Sequence, residues 1–166
     1  NKGLRILIEA YHQLAPDPEA WPLNLVGDGP LRPEVEKVIT DKKVKGVILH
    51  GFVSEEERLH KTRQSKWMVT PPHTNEDLGL TPLEARSVGV PCIVSEDGGV
   101  PETGGAHALR CEPNSVESLL SCLQRSVNMK ESEYQRMSLL AKERLEDYVR
   151  PLDEYAQEYL KLVGKR

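Results

Sequence analysis

The chain has 166 residues, the size of one ordinary domain, and its 38% apolar and 29% charged residues suit a globular fold. The net charge of -4 comes from interspersed acids and bases, which excludes the basic stripe of a nucleic-acid binder. No apolar run approaches the roughly 18 residues that a membrane span needs, and Asn1-Lys2-Gly3-Leu4 carries no signal-peptide pattern. Cys92, Cys111 and Cys122 are too widely spaced for a metal knuckle or a disulfide framework, and they point to a reducing, cytoplasmic setting.

In chain order, Leu4, Leu7, Ile8, Tyr11 and Leu14 recur at helical spacing and predict a first helix. Trp21 to Val26 predicts a strand, stopped by Gly27-Asp28-Gly29-Pro30. A helix from Leu31 to Lys43 and a strand from Val47 to His50 follow. Ser54-Glu55-Glu56-Glu57 is a capping box that starts a helix at Glu55. Trp67 to Thr70 predicts a third strand, ended by Pro71-Pro72. A helix from about Pro82 to Val88 leads through Gly89 to a fourth strand, Pro91 to Ser95. The strands are apolar on both faces, and their alternation with helices implies a Rossmann-like α/β fold: a parallel sheet with helices on both faces.

Beyond residue 112 the pattern is all helical. Val116, Leu119, Leu120, Leu123 and Val127 form one stripe; Met137, Leu140, Ala141 and Tyr148 form a second. Pro151 interrupts, and Leu152, Tyr155, Tyr159 and Leu162 predict a last short helix. We therefore divide the chain into a Rossmann-like domain, residues 1–150, and a helical tail, residues 151–166. Trp21, Trp67 and Cys92 are read as packing residues.

In an open parallel sheet, ligands bind beyond the carboxyl ends of the strands. The loops there are Gly27-Asp28-Gly29, Gly51-Phe52-Val53, Pro71 to Gly79, and Ser95 to Gly99. Their glycines let a backbone come close to a ligand. The richest stretch runs from Glu76 to Glu84. Gly79-Leu80-Thr81 precedes a helix, so its N–H groups suit a phosphate. Glu84, one turn inside, can accept two hydrogen bonds from a diol such as a ribose. Thr81-Pro82-Leu83-Glu84 is equally a capping box, in which Glu84 would only cap. Glu76, His73 and Asn75 read equally as solvated loop residues, and Lys2 as a terminal lysine.

Taken together, these segments resemble one family. Glu76, Glu84-Ala85, Gly89-Val90-Pro91 and Ser95-x2-Gly98-Gly99-Val100-Pro101-Glu102 resemble the C-terminal, donor-binding half of retaining GT-B glycosyltransferases, family 4 type. Lys2-Gly3, Val26 to Pro30 and His50 to Ser54 resemble three further blocks in the same order, so the resemblance covers residues 2 to 113 closely. It implies a hexosyl transfer from a UDP-, GDP- or ADP-sugar to a sugar, lipid or other acceptor. Lys2 and the backbone of Gly79, Leu80 and Thr81 would hold the diphosphate. Glu84 would bind the ribose, Glu76 the transferred sugar and the main chain near Val53 the base. Gly27 and Gly29 would line the donor site, and Gly98-Gly99 would close it. No metal and no other cofactor is expected, because Lys2 and the phosphate loop stabilise the departing diphosphate. A first, central strand and an N-terminal acceptor-binding domain are expected to be missing. That domain would also supply any peripheral association with the cytosolic face of a membrane. This part alone would then be inactive, with its last helix crossing onto the missing domain. Two other classes fit the fold: another GT-B sugar-nucleotide enzyme such as an epimerase or phosphorylase relative, and a non-enzymatic nucleotide-sugar-binding module. A dinucleotide fold is disfavoured because no Gly-x-Gly-x-x-Gly opens a helix.

Overall fold

The computed structural model describes residues 3–70, 78–148 and 151–164. Helix α1 (Leu4–Leu14) buries Leu7, Ile8, Ala10 and Tyr11, the face its periodicity predicts. It leads to β1 (Leu23–Val26), α2 (Arg32–Asp41) and β2 (Val47–Gly51). The two strands pair in parallel, with Leu23 opposite Val47. Helix α3 (Glu55–Gln64) starts where the capping box places it: the Ser54 hydroxyl accepts a hydrogen bond from the Glu57 N–H at 3.1 Å. Then come β3 (Met68–Thr70), α4 (Leu80–Ser87), β4 (Cys92–Ser95), α5 (Val100–Gly104) and β5 (Leu109–Cys111). These three strands form a second parallel sheet in the order β3-β4-β5.

Helices α6 (Val116–Val127) and α7 (Glu131–Ala141) follow, then a short 3-10 turn at Leu145–Asp147 and α8 (Leu152–Val163). No helix of the described residues is long and apolar enough to cross a membrane. The Rossmann-like expectation holds: parallel strands alternate with helices. The strand from Trp21 is shorter than predicted. Trp21 closes a turn onto the Asp17 carbonyl at 2.9 Å, and pairing begins only at Leu23.

The expectation of strands buried on both faces holds for β4, whose four residues are all buried. It fails for β1, where half-buried Leu23 and Leu25 alternate with exposed Asn24 and Val26. That is the pattern of a sheet packed on one face. The core gathers on α1, α6 and the second sheet: Leu7, Ile93, Leu119 and Leu123 with Met137. Burying a side chain such as Leu119 fully is worth about 1.5–3 kcal/mol. Cys92 is 1% exposed, and burial pushes its thiol up to about 12, in keeping with a packing role. Trp67 packs against the core, edge-on to Tyr134 with ring centres 6.0 Å apart.

A second element of order lies behind α4. Arg86 is 3% exposed, and among the described residues its hydrogen bonds go to carbonyls and to no carboxylate. Its guanidinium donates to the carbonyls of Ala141 at 2.8 Å, Thr103 at 2.7 Å and Glu143 at 2.6 Å. Ala141 ends α7 and Thr103 lies in the last turn of α5. The cation therefore satisfies helix-end carbonyls and faces the negative ends of two helices. Helix α8, by contrast, buries no residue; Leu152 is 86% and Leu162 72% exposed.

Candidate nucleotide site

The two sheets do not join among the described residues. Between β1 and β3 lies a cavity of about 1010 Å³, lined by Leu23, Leu25, Trp67 and Val69 together with Leu7 and Leu123. Two polar atoms beside it, Trp67 Nε1 and the Thr70 hydroxyl, are buried without a partner among the described residues. The same cavity is lined by Gly27, Asp28, Gly29, Arg58, Gly79 and Thr81. The loops after β1 and β3, 52 residues apart from Gly27 to Gly79, thus open onto one space. Lining by the described residues does not include Val53, Leu80 or Glu84.

Each loop has its own reason for its shape. The Gly27 N–H donates to the Gly51 carbonyl at 2.8 Å, which ties the ends of β1 and β2 together. Asp28 Oδ1 accepts from the Gly29 N–H at 2.7 Å, and its other oxygen accepts from Arg32 at 3.1 Å. Glu36, and then Asp28, raise the pKa of the Arg32 guanidinium above its usual value. A side chain built at Gly27 or Gly29 would meet nothing within 4 Å, so both glycines leave open approach to their backbone. Val53 is half-buried between β2 and α3, beside the exposed ring of Phe52.

The sequence places the start of α4 near Pro82, with Thr81 as the cap. The structure corrects this. The helix starts at Leu80, and Gly79 is its N-cap, with φ 72° and no side chain capping it. That φ lies in the left-handed region, which glycine adopts without strain. Pro82 is accommodated in the first turn, where its missing N–H costs nothing. Thr81 is therefore inside the helix, and the capping-box role for Glu84 falls away. The Leu80 side chain is 64% exposed. The loop before Gly79 is pinned by the buried Thr103 hydroxyl, which shares its proton between the Leu78 carbonyl at 2.9 Å and the Val100 carbonyl at 3.1 Å. Since α5 follows Gly98-Gly99, this bond couples that loop to the start of α4.

Glu84 pairs with Arg58 of α3. Both side chains are about a third exposed. Lys2, His73, Asn75 and Glu76 lie outside the described residues. The structure thus brings Gly27, Gly29, Gly79 and Thr81 together around one opening, and links Glu84 to it through Arg58. Sequence reasoning missed Arg58, Thr103 and Arg86, each of which has a side-chain partner 17 or more residues away in the chain.

Comparison with known proteins agrees with this architecture. A family model described as "Glycosyl transferases group 1" matches residues 1–144. The sulfoquinovosyl transferase of Arabidopsis thaliana is 28% identical over 137 residues, 80% of this chain and 25% of that protein. A glycosyltransferase structure from Rickettsia africae superposes with a TM-score of 0.82 at 20% identity, over 99% of this chain and 44% of that one. An Anabaena structure, HepE in complex with UDP-glucose, superposes at 0.79 and 19% identity, over 99% and 46%. This chain spans a quarter of that plant relative and under half of those solved structures. The fold, the residues matched and the order of the loops lead to one conclusion: the chain belongs to the group 1 glycosyl transferase family.

Proposed function

We propose that this chain is the donor-binding part of a retaining glycosyltransferase that moves a hexosyl group from a nucleoside-diphosphate sugar to an acceptor. The observation that carries the reading is the placement of Gly27, Gly29, Gly79 and Thr81 in the segments that follow β1 and β3, on either side of one gap in the sheet. The start of α4 offers free N–H groups to the diphosphate, with Gly79 letting the backbone come close. Glu84 takes the ribose hydroxyls, and the main chain at Val53 meets the base. Lys2 and Glu76 are assigned to the diphosphate and the transferred sugar by the family pattern.

The gap between β1 and β3 supports the expectation of a further central strand. Two facing apolar strands, two orphan polar atoms and about 1010 Å³ of space suit one further strand, which would join the sheets. A second domain would bind the acceptor, and the uncovered face of α8 would cross onto it. As the diphosphate departs, its charge is taken up by Lys2 and the N–H groups of α4, with no metal in the step.

A protein carrying this chain together with an acceptor-binding domain is expected to transfer sugar with retention of anomeric configuration, and to do so in chelator. NMR of the product's anomeric proton reads the first point and activity in EDTA the second. An inverted anomer, or activity abolished by chelation, would overturn the assignment.

A further inference from the structure

Arg58 lies one turn into α3, and its guanidinium bonds to the carboxylate of Glu84 on α4. Three acids precede it on its own helix, Glu55, Glu56 and Glu57, and Glu57 pairs with Lys61 at 3.6 Å. Arg58 turns instead to the acid 26 residues away. It also lines the cavity that Gly27, Gly29, Gly79 and Thr81 share, which Glu84 does not.

The placement has a chemical sense. Helix α3 is held to the loop at Val53 by its cap: Ser54 accepts from the Glu57 N–H at 3.1 Å, and the Arg58 N–H donates to the Ser54 carbonyl at 2.9 Å. Helix α4 begins at the Gly79 turn. In a nucleoside diphosphate the ribose stands between base and phosphates. The ion pair joins α3, which follows the loop assigned to the base, to α4, which starts at the turn assigned to the phosphates.

We propose that Arg58 is the positioning residue of the ribose subsite: it holds one oxygen of Glu84 so that the other faces the ribose diol. This rests on the donor-site reading above. A glutamate free to rotate loses rotamer freedom on binding, and an oriented one has already lost it. The guanidinium also neutralises Glu84, which would otherwise repel the diphosphate.

The test compares whichever of UDP, GDP and ADP binds best with its 2′,3′-dideoxy analogue, by calorimetry on the chain as it stands. The wild type should prefer the ribose form by about tenfold, the worth of one charge-assisted hydrogen bond. In Arg58→Met that preference should shrink to about twofold while the dideoxy form binds nearly as before; Arg58→Lys should recover part of it. The double variant Arg58→Met with Glu84→Gln should be no worse than Glu84→Gln alone, because both act on one contact. An intact ribose preference in Arg58→Met overturns the proposal. So does an equal loss for both ligands, which would mean that Arg58 contacts the phosphates itself. A shift of the urea midpoint in Arg58→Met, with the preference intact, identifies a purely structural ion pair and also overturns it. A wild type that binds no nucleotide, or ignores the ribose, overturns the donor-site reading beneath it.

Discussion

Replacing Arg86 by methionine is expected to cost the fold about 2–4 kcal/mol, even though a buried charge is removed. Methionine keeps the apolar stem, but the carbonyls of Thr103 and Ala141 lose their donor. A buried unsatisfied carbonyl costs about 1–3 kcal/mol, and the part-buried carbonyl of Glu143 adds less. Lysine should not rescue, since one ammonium cannot span three acceptors in a fixed plane. Equilibrium unfolding in urea measures this. A loss under about 1 kcal/mol would show that the helix ends are held by packing alone. Because the Arg86–Thr103 bond backs the Thr103–Leu78 bond, the same variant should loosen the turn at Gly79.

Glu84→Gln is expected to weaken nucleoside diphosphate binding by about tenfold or more, since a hydrogen bond to a charged group is worth about 1.5–3 kcal/mol. Stability should barely change. Glutamine can still accept from Arg58, and a pair this exposed contributes only about 0–1 kcal/mol. The two readouts separate a binding residue from a structural one. Unchanged affinity would remove Glu84 from the site; a large stability loss would mark the Arg58 pair as a strut between α3 and α4.

How far the sequence could lead depended on whether the deciding interaction was local. The capping box at Ser54 is a contact across three residues, and the structure has it. β4 was legible because Cys92-Ile93-Val94 is apolar on both faces and the strand is buried on both. Thr81-x-x-Glu84 matches the same local pattern as Ser54-x-x-Glu57, yet it caps nothing. The positive φ of Gly79 starts the helix one residue before Thr81, a choice made by the loop and not by the box. Element β5 escaped notice because it is three residues long with exposed Arg110 at its centre, and α5 because it has only five residues.

The site was partly legible for the same reason. Glycines at the ends of predicted strands mark the loops without any tertiary knowledge, so Gly27, Gly29 and Gly79 could be named. Arg58 could not. It sits in Glu55-Glu56-Glu57-Arg58, which reads as a solvated face, and its role appears only when α4 is packed beside α3. Arg86 likewise looks like an ordinary helix arginine until the ends of α5 and α7 close over it. Glu84 lies inside α4, as its spacing from Gly79 suggests, and its pairing with Arg58 was not legible in the sequence.

The most direct measurement is a calorimetric titration of this chain with UDP, GDP and ADP. The account predicts saturable one-to-one binding of at least one of them, lost or weakened about tenfold in Glu84→Gln. No heat from any of the three, or equal binding by the wild type and Glu84→Gln, would contradict it.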